Sequence, residues 1–244
     1  RLIEEGQRGG TSEVVPTRVA GAWAGAGATD GRAVGGGQGR GERPRAGSDV
    51  LPVRPLPADL FLAARRLAGD DALDIEQAVP QIAAHQGPVY MRLLRGNVPL
   101  VLDEYNYQFE LGKAKLLCDG ADVLVISSGF MTMRTLEAAK QLQADKINVA
   151  VLHCPTIKPL DETTILKEVR KPGRLVVVAE NHSVVGGLGE AVASLLLREG
   201  AIPSKFRMLG LPDAFLDAGA LPTLHDRYGI SAEKVAASLK SWLK

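Results

Sequence analysis

From residue 71 to its end this sequence predicts an α/β fold, a mostly parallel sheet with helices on both faces. Three observations carry the prediction. Short apolar runs such as Val123-Leu124-Val125-Ile126 and Val176-Val177-Val178-Ala179 lack polar alternation, the mark of strands covered on both sides. These runs alternate with helical patterns of about 10–14 residues, the spacing of strand–helix–strand crossovers. The composition, 45% hydrophobic and 23% charged over 244 residues, allows a sizeable core.

The elements follow in order. ALDIEQAVPQIAAHQ places apolar residues at 72, 73, 75, 78, 79 and 82, an amphipathic helix. Pro80 inside it predicts a kink or a join between two short helices. Gly87-Pro88 opens a short strand, GPVYMRLLRG, and NVPLVLDEYNY, without periodicity, reads as a linker. FELGKAKLL reads as an edge strand or hairpin arm. ADVLVISSG is a buried strand followed by the helix MTMRTLEAAKQLQ. INVAVLHC is a strand, and DETTILKEVRK is a helix with Asp161 at the N-cap. RLVVVAEN is a strand, GLGEAVASLLLREG a helix stopped by Gly200, KFRMLGLPD a strand, and SAEKVAASLKSWL a terminal helix that starts near Ser231. Residues 108–244 thus make one domain of ordinary size, about 135 residues.

Residues 1–70 are unlike the rest. They hold 14 of the 27 glycines and 10 arginines but no lysine, whereas 71–244 hold 8 arginines and 11 lysines. Runs such as GAWAGAGATDGRAVGGGQGRGERPRAG have neither helical nor strand period, and so little apolar surface does not offset chain entropy. The stretch reads as a flexible, disordered arm. An RNA-binding arginine-glycine arm fits less well, because there are no RGG repeats and few aromatics. A third reading is an out-of-frame segment, since Arg, Gly, Ala and Pro without Lys or Asn is what a GC-rich gene yields in the wrong frame.

The net charge of +1, from 29 basic and 28 acidic residues, gives no electrostatic case for nucleic acid or membrane as partner. No apolar run approaches the roughly 18 residues of a membrane span, and no signal-peptide pattern opens the chain. Cys118 and Cys154 are too few for a disulfide framework. A reduced, cytoplasmic protein is the expectation.

The stretch VVVAENHSVVGGLGEAVASLLLREG is a strand, a glycine loop and a helix, an arrangement that cradles phosphates in nucleotide-binding proteins. The spacing Gly186-Gly187-Leu188-Gly189 departs from the dinucleotide fingerprint, however, and no acidic residue follows about 20 positions on. The loop is therefore read as a tight turn with close helix–sheet packing. Glu180 and Glu190 flank it as an acid pair or as partners of the helix dipole, the second being the ordinary role. His182 stands at the carboxyl end of its strand, where open α/β sheets gather ligands, and is a candidate for the edge of a site. His85 reads as a helix-end residue and His225 as a loop or capping residue. His153 and Cys154 are adjacent in a strand, so they point to opposite faces and make neither a metal site nor a nucleophile pair. Arg95 follows an apolar strand and precedes Gly96, where its planar fork of donors suits a phosphate. Arg92, two residues after Tyr90 in the same strand, is read as a salt-bridge partner.

ADVLVISSG, VAVLHCPTIKPLD and VVVAENHSVVGGLGEAVA, in this order and spacing, resemble the C-terminal domain of the transketolase family of thiamine diphosphate enzymes. The preceding IEQAVPQIAAHQGPVYMRLLRGNVP resembles the end of that family's pyrimidine-binding domain. On this resemblance residues 71–100 close a pyrimidine-binding domain, 101–107 are a linker, 108–244 are the C-terminal domain, and 1–70 match nothing in the family. The likeness is strongest to split transketolases, whose halves are separate chains.

The resemblance implies transfer of a two-carbon ketol unit between sugar phosphates in the pentose phosphate pathway. It implies thiamine diphosphate and Mg²⁺, bound mainly by parts absent from this chain, and a partner in the N-terminal, pyrophosphate-binding subunit. It also implies homodimer contacts through the C-terminal domain, and Arg95 as the residue that binds the sugar phosphate. No cofactor-binding glutamate carries over, because 1–70 stand where it belongs. The chain alone is therefore expected to be inactive. Three rivals stand beside this reading. Arg95-Gly96-Asn97 keeps 1-deoxy-D-xylulose-5-phosphate synthase in view. A 2-oxo acid dehydrogenase β subunit shares the domain order, but its substrates carry no phosphate for Arg95. The third is a non-enzymatic α/β interaction module.

Overall fold

The computed structural model describes residues 65–69, 72–94 and 100–244, all within one compact unit, Arg54–Lys244. Its centre is a five-stranded sheet in the order β3-β5-β4-β7-β8. The strands are β3 (Lys115–Cys118), β4 (Val123–Ser127), β5 (Val149–His153), β7 (Leu175–Ser183) and β8 (Phe206–Leu211). β4, β5, β7 and β8 run parallel, and only the edge strand β3 is antiparallel. Every residue of β4 and β5 is buried, and the period of two sorts them into two cores. Val123, Val125, Val149, Val151 and Val177 face α2 (Phe130–Leu142) and α6 (Ala232–Leu243). Leu124, Ile126, Ala150, Leu152, Val176 and Val178 face α3 (Glu162–Val169) and α4 (Leu188–Arg198). Strands buried on both faces explain why these segments show no alternation in the sequence.

The helix ends follow local chemistry. The Asp161 carboxylate accepts from the N–H of Thr164 at 3.1 Å and from that of Ala114 at 3.0 Å, so one side chain caps α3 and ties down the approach to β3. Burial works against its ionisation. The hydrogen bonds outweigh burial and hold the carboxyl below the ordinary value. Ser231 caps α6 through the N–H of Lys234.

A second, smaller sheet has the order β2-β1-β6, from β1 (Arg65–Gly69), β2 (Val89–Leu93) and β6 (Thr156–Lys158). β1 and β2 are parallel, joined by α1 (Ala72–Ala84), and β6 pairs antiparallel with β1. β1 lies ahead of residue 71, where the sequence shows its first regular period. Residues 1–64, including most of the stretch read as an arm, lie outside the described residues.

Three local expectations are corrected. α1 runs unbroken through Pro80. Proline removes the bond to the carbonyl of Glu76, and both residues are exposed, so that carbonyl can turn to water. The second half of the expected linker packs into a core: its Leu102 and Tyr107 are buried together with Phe109, which follows it, and Ala78 of α1, and Leu102–Tyr105 form a 3-10 turn. Residues packed one by one leave no period to read. Finally, the segment before α6 contains a short helix, α5 (Leu221–Arg227).

Candidate functional site at the carboxyl edge of the sheet

The carboxyl ends of β4, β5 and β7 gather most of the buried polar groups. What organises them is a bulge in β7. Ala179 pairs with Leu209 and Ser183 with Leu211, so Glu180, Asn181 and His182 lie opposite Gly210 alone. Gly210 is required there, because a side-chain carbon would sit 2.9 Å from the His182 carbonyl oxygen and 3.1 Å from that of Glu180. A bulge re-aims side chains, and here it sends three consecutive residues to three destinations.

Glu180 turns into the glycine loop. Its two carboxylate oxygens accept from the N–H groups of Leu188 and Gly189, each at 2.9 Å, at the start of α4. This is the place an external phosphate would take. The chain fills it with its own anion. Gly187 permits the approach, since a side-chain carbon there would lie 2.0 Å from the carboxylate. Glu190 accepts from the N–H of Gly186 at 2.9 Å, so both acids serve the helix N-terminus and do not pair with each other.

Asn181 is buried and turns toward β2. Arg92 donates through one terminal nitrogen to the Asn181 backbone carbonyl at 2.6 Å and through the other to its side-chain oxygen at 3.3 Å. The expected salt bridge of Arg92 is thus corrected. Its acceptors are neutral, and among the described residues no carboxylate pairs with it. His182 is exposed, with Nδ1 donating to the Ser183 carbonyl at 3.2 Å, and it touches neither Arg92 nor the glycine loop by any hydrogen bond. Arg95 lies outside the described residues.

Beside the bulge runs a buried polar relay. His153 Nε2 is 3.0 Å from the Asp74 carboxylate of α1. Its Nδ1 is 2.8 Å from the Thr132 hydroxyl, which is 2.9 Å from that of Ser127. All four residues are buried. Tyr107 meets the imidazole edge-on at 5.2 Å. His153 therefore joins α1 to the main sheet, while Cys154 faces the opposite core, where burial pushes its thiol up. His225 corrects another expectation. It lies in α5, buried, with its ring tilted at 39° against Phe130 at 4.9 Å, although its carbonyl does close the helix, accepting from Ile230 and Ser231. Burial, and then the Arg134 guanidinium, lower its pKa.

Two of these residues escaped the sequence. Asp74 left a signal, an acid on the same helical face as Ala78 and Ile82. Asn181 left none. Among the described residues no group of three or more His, Cys, Asp or Glu could hold a metal ion, and the N–H groups of the glycine loop that would suit a phosphate are taken by Glu180. The described residues therefore do not fit a metal-bound diphosphate. No helix among them is long and apolar enough to cross a membrane.

Comparison with known proteins agrees with this architecture. The family described as the transketolase C-terminal domain matches residues 112–235. A transketolase family protein of Sinorhizobium fredii, y4mN, is 70% identical over 173 residues, 71% of this chain and 50% of that protein. The 6-deoxy-6-sulfo-D-fructose transketolase subunit SqwH of a Clostridium species is 42% identical over 166 residues, 68% of this chain and 50% of the subunit. The chain thus spans about half the length of these relatives. Among solved structures, a split-gene transketolase described as an inactive beta4 tetramer is 36% identical with a TM-score of 0.66, covering 74% of this chain and 58% of that one.

Proposed function

The chain belongs to the transketolase family through its C-terminal domain, and from that premise we propose that it is the C-terminal part of a split transketolase. In that role it works with an N-terminal subunit to move a two-carbon ketol unit between phosphorylated sugars. The observation that carries the reading is the joint likeness, over the folded part, to a transketolase subunit and to a split-gene transketolase. The partner would supply thiamine diphosphate and Mg²⁺, the electron sink of such transfers. This chain's share is binding: Arg95, two positions after β2 in the sequence, takes the terminal oxyanion of the substrate. The name of the Clostridium relative favours a second reading, in which that oxyanion is a sulfonate.

The test replaces residues 1–70 with a family-like pyrimidine-domain segment, combines this chain with an N-terminal subunit, thiamine diphosphate and Mg²⁺, and follows ketol transfer. The chain alone is expected to be inactive and the pair active. Pyruvate consumed with glyceraldehyde 3-phosphate would point instead to the deoxyxylulose synthase reaction. In the active pair, Arg95→Ala should raise KM for phosphorylated donors about 10- to 150-fold, the worth of one charge-assisted contact of about 1.5–3 kcal/mol. It should scarcely change KM for hydroxypyruvate, because the contact is remote from the reacting carbonyl. Equal loss on both donors would make Arg95 a structural residue.

A further inference from the structure

Three arginines among the described residues are withdrawn from solvent at least in part: Arg92, Arg134 and Arg174. Arg134 pairs with Glu137 at 2.8 Å, and Arg174 with Glu168 at 3.1 Å. Arg92 differs. Its partner is Asn181, which binds it through two neutral oxygens, one from the backbone and one from the side chain. A charge taken out of water without a counter-charge is costly, and a carboxylate at position 181 would remove that cost with almost no change of shape. An amide oxygen orients the guanidinium just as a carboxylate oxygen would, yet leaves its charge in place. Among the described residues two of the five N–H donors have acceptors, and a planar or tetrahedral oxyanion suits the other three.

We propose that Asn181 is a positioning residue that presents Arg92, still fully charged, as a second cationic donor to the terminal oxyanion of a sugar substrate. Its neutrality is what keeps that site open. The proposal rests on the transketolase reading only for the identity of the ligand, a phosphate or sulfonate on a short sugar. The geometry itself comes from the bulge: Glu180, one residue earlier, has its charge consumed by the α4 N-terminus, so the bulge separates a carboxylate that must stay away from Arg92 from an amide that reaches it.

The test uses the full chain with its arginine guanidinium groups followed by nitrogen-detected NMR. Probes are D-fructose 6-phosphate, 6-deoxy-6-sulfo-D-fructose and uncharged D-fructose. Wild type should show a saturable shift of the Arg92 signal with one or both anions and none with fructose; the two anion arms tell phosphate from sulfonate. Asn181→Asp should weaken anion binding about 10- to 150-fold, while its thermal midpoint stays level or rises, because an ion pair now forms. A residue with a purely structural role would keep binding in that variant. Arg92→Lys, which holds the charge but loses the two-point contact with Asn181, gives an independent check and should also bind at least tenfold more weakly. Equal anion affinity in wild type and Asn181→Asp, or no response of Arg92 in wild type, overturns the proposal. Anion binding without ketol transfer in the assembled pair would sink the transferase reading and leave this one standing.

Discussion

The two ends of the main sheet both carry clustered charge, and they handle it in opposite ways. At the amino end Arg174 binds the Glu168 backbone and carboxylate and reaches Asp119 at 3.6 Å, and Lys171 binds Glu168 at 2.7 Å. Two cations meet two anions. The N–H of Gly120, followed by Lys171 and Arg174, holds the Asp119 carboxyl below its ordinary value. A cavity of ≈ 510 Å³ opens there, lined by Asp119, Lys171 and Arg174. By size it invites a ligand, but its charges are already matched. At the carboxyl end Arg92 meets neutral oxygens, His153 and Asp74 sit in a hydroxyl relay, and an exposed histidine stands alongside. Saturated charge closes a surface, and unsaturated charge leaves work for a ligand.

The largest expected effect tests the saturated end directly. Arg174→Met should cost about 3 kcal/mol in urea unfolding, the lower part of the range for breaking a buried pair, because Lys171 still holds the Glu168 carboxylate. Arg92→Met, with no described carboxylate left behind, should cost less than about 1 kcal/mol. Similar losses at the two sites would erase the contrast between the ends.

Gly187→Ala should come next. Its methyl carbon would meet the Glu180 carboxylate at 2.0 Å, and overpacking of this kind costs about 1–3 kcal/mol. Displacing Glu180 would also free the N–H groups of Leu188 and Gly189. Phosphate should then protect the variant against thermal unfolding more than it protects wild type, if the loop is a phosphate cradle that the chain fills for itself. Absence of destabilisation would show that Glu180 does not need the loop.

The smallest effect is on pH dependence. Burial and Arg134 lower the pKa of His225, so the unfolded chain binds its proton first. Stability from this residue is complete above the unfolded value, about 6.5, and declines as pH falls through 6.5 toward the lower folded value. An NMR titration of the His225 ring should give a midpoint below 6.5, and Arg134→Gln should move it upward. An unchanged midpoint in that variant would leave burial as the sole cause.

By itself the sequence determined whatever depends on neighbours along the chain. Apolar runs on both faces made parallel strands the only economical fate of β4, β5 and β7, and Asp161, Ser231 and Gly200 marked helix ends because capping is local chemistry. The glycine loop was legible as a turn for the same reason. Short elements were not: α5 has seven residues and no side-chain cap, and β6 has three, too few for a period to show. The site was decided by tertiary structure. Asn181 finds Arg92 across 89 positions and His153 finds Asp74 across 79, and no spacing rule reaches that far. Which of Glu180, Asn181 and His182 points where depends on a bulge, and the bulge depends on Gly210 in the neighbouring strand. A strand read alone predicts strict alternation. Only its partner, two residues short of matching it pair for pair, shows where that alternation breaks.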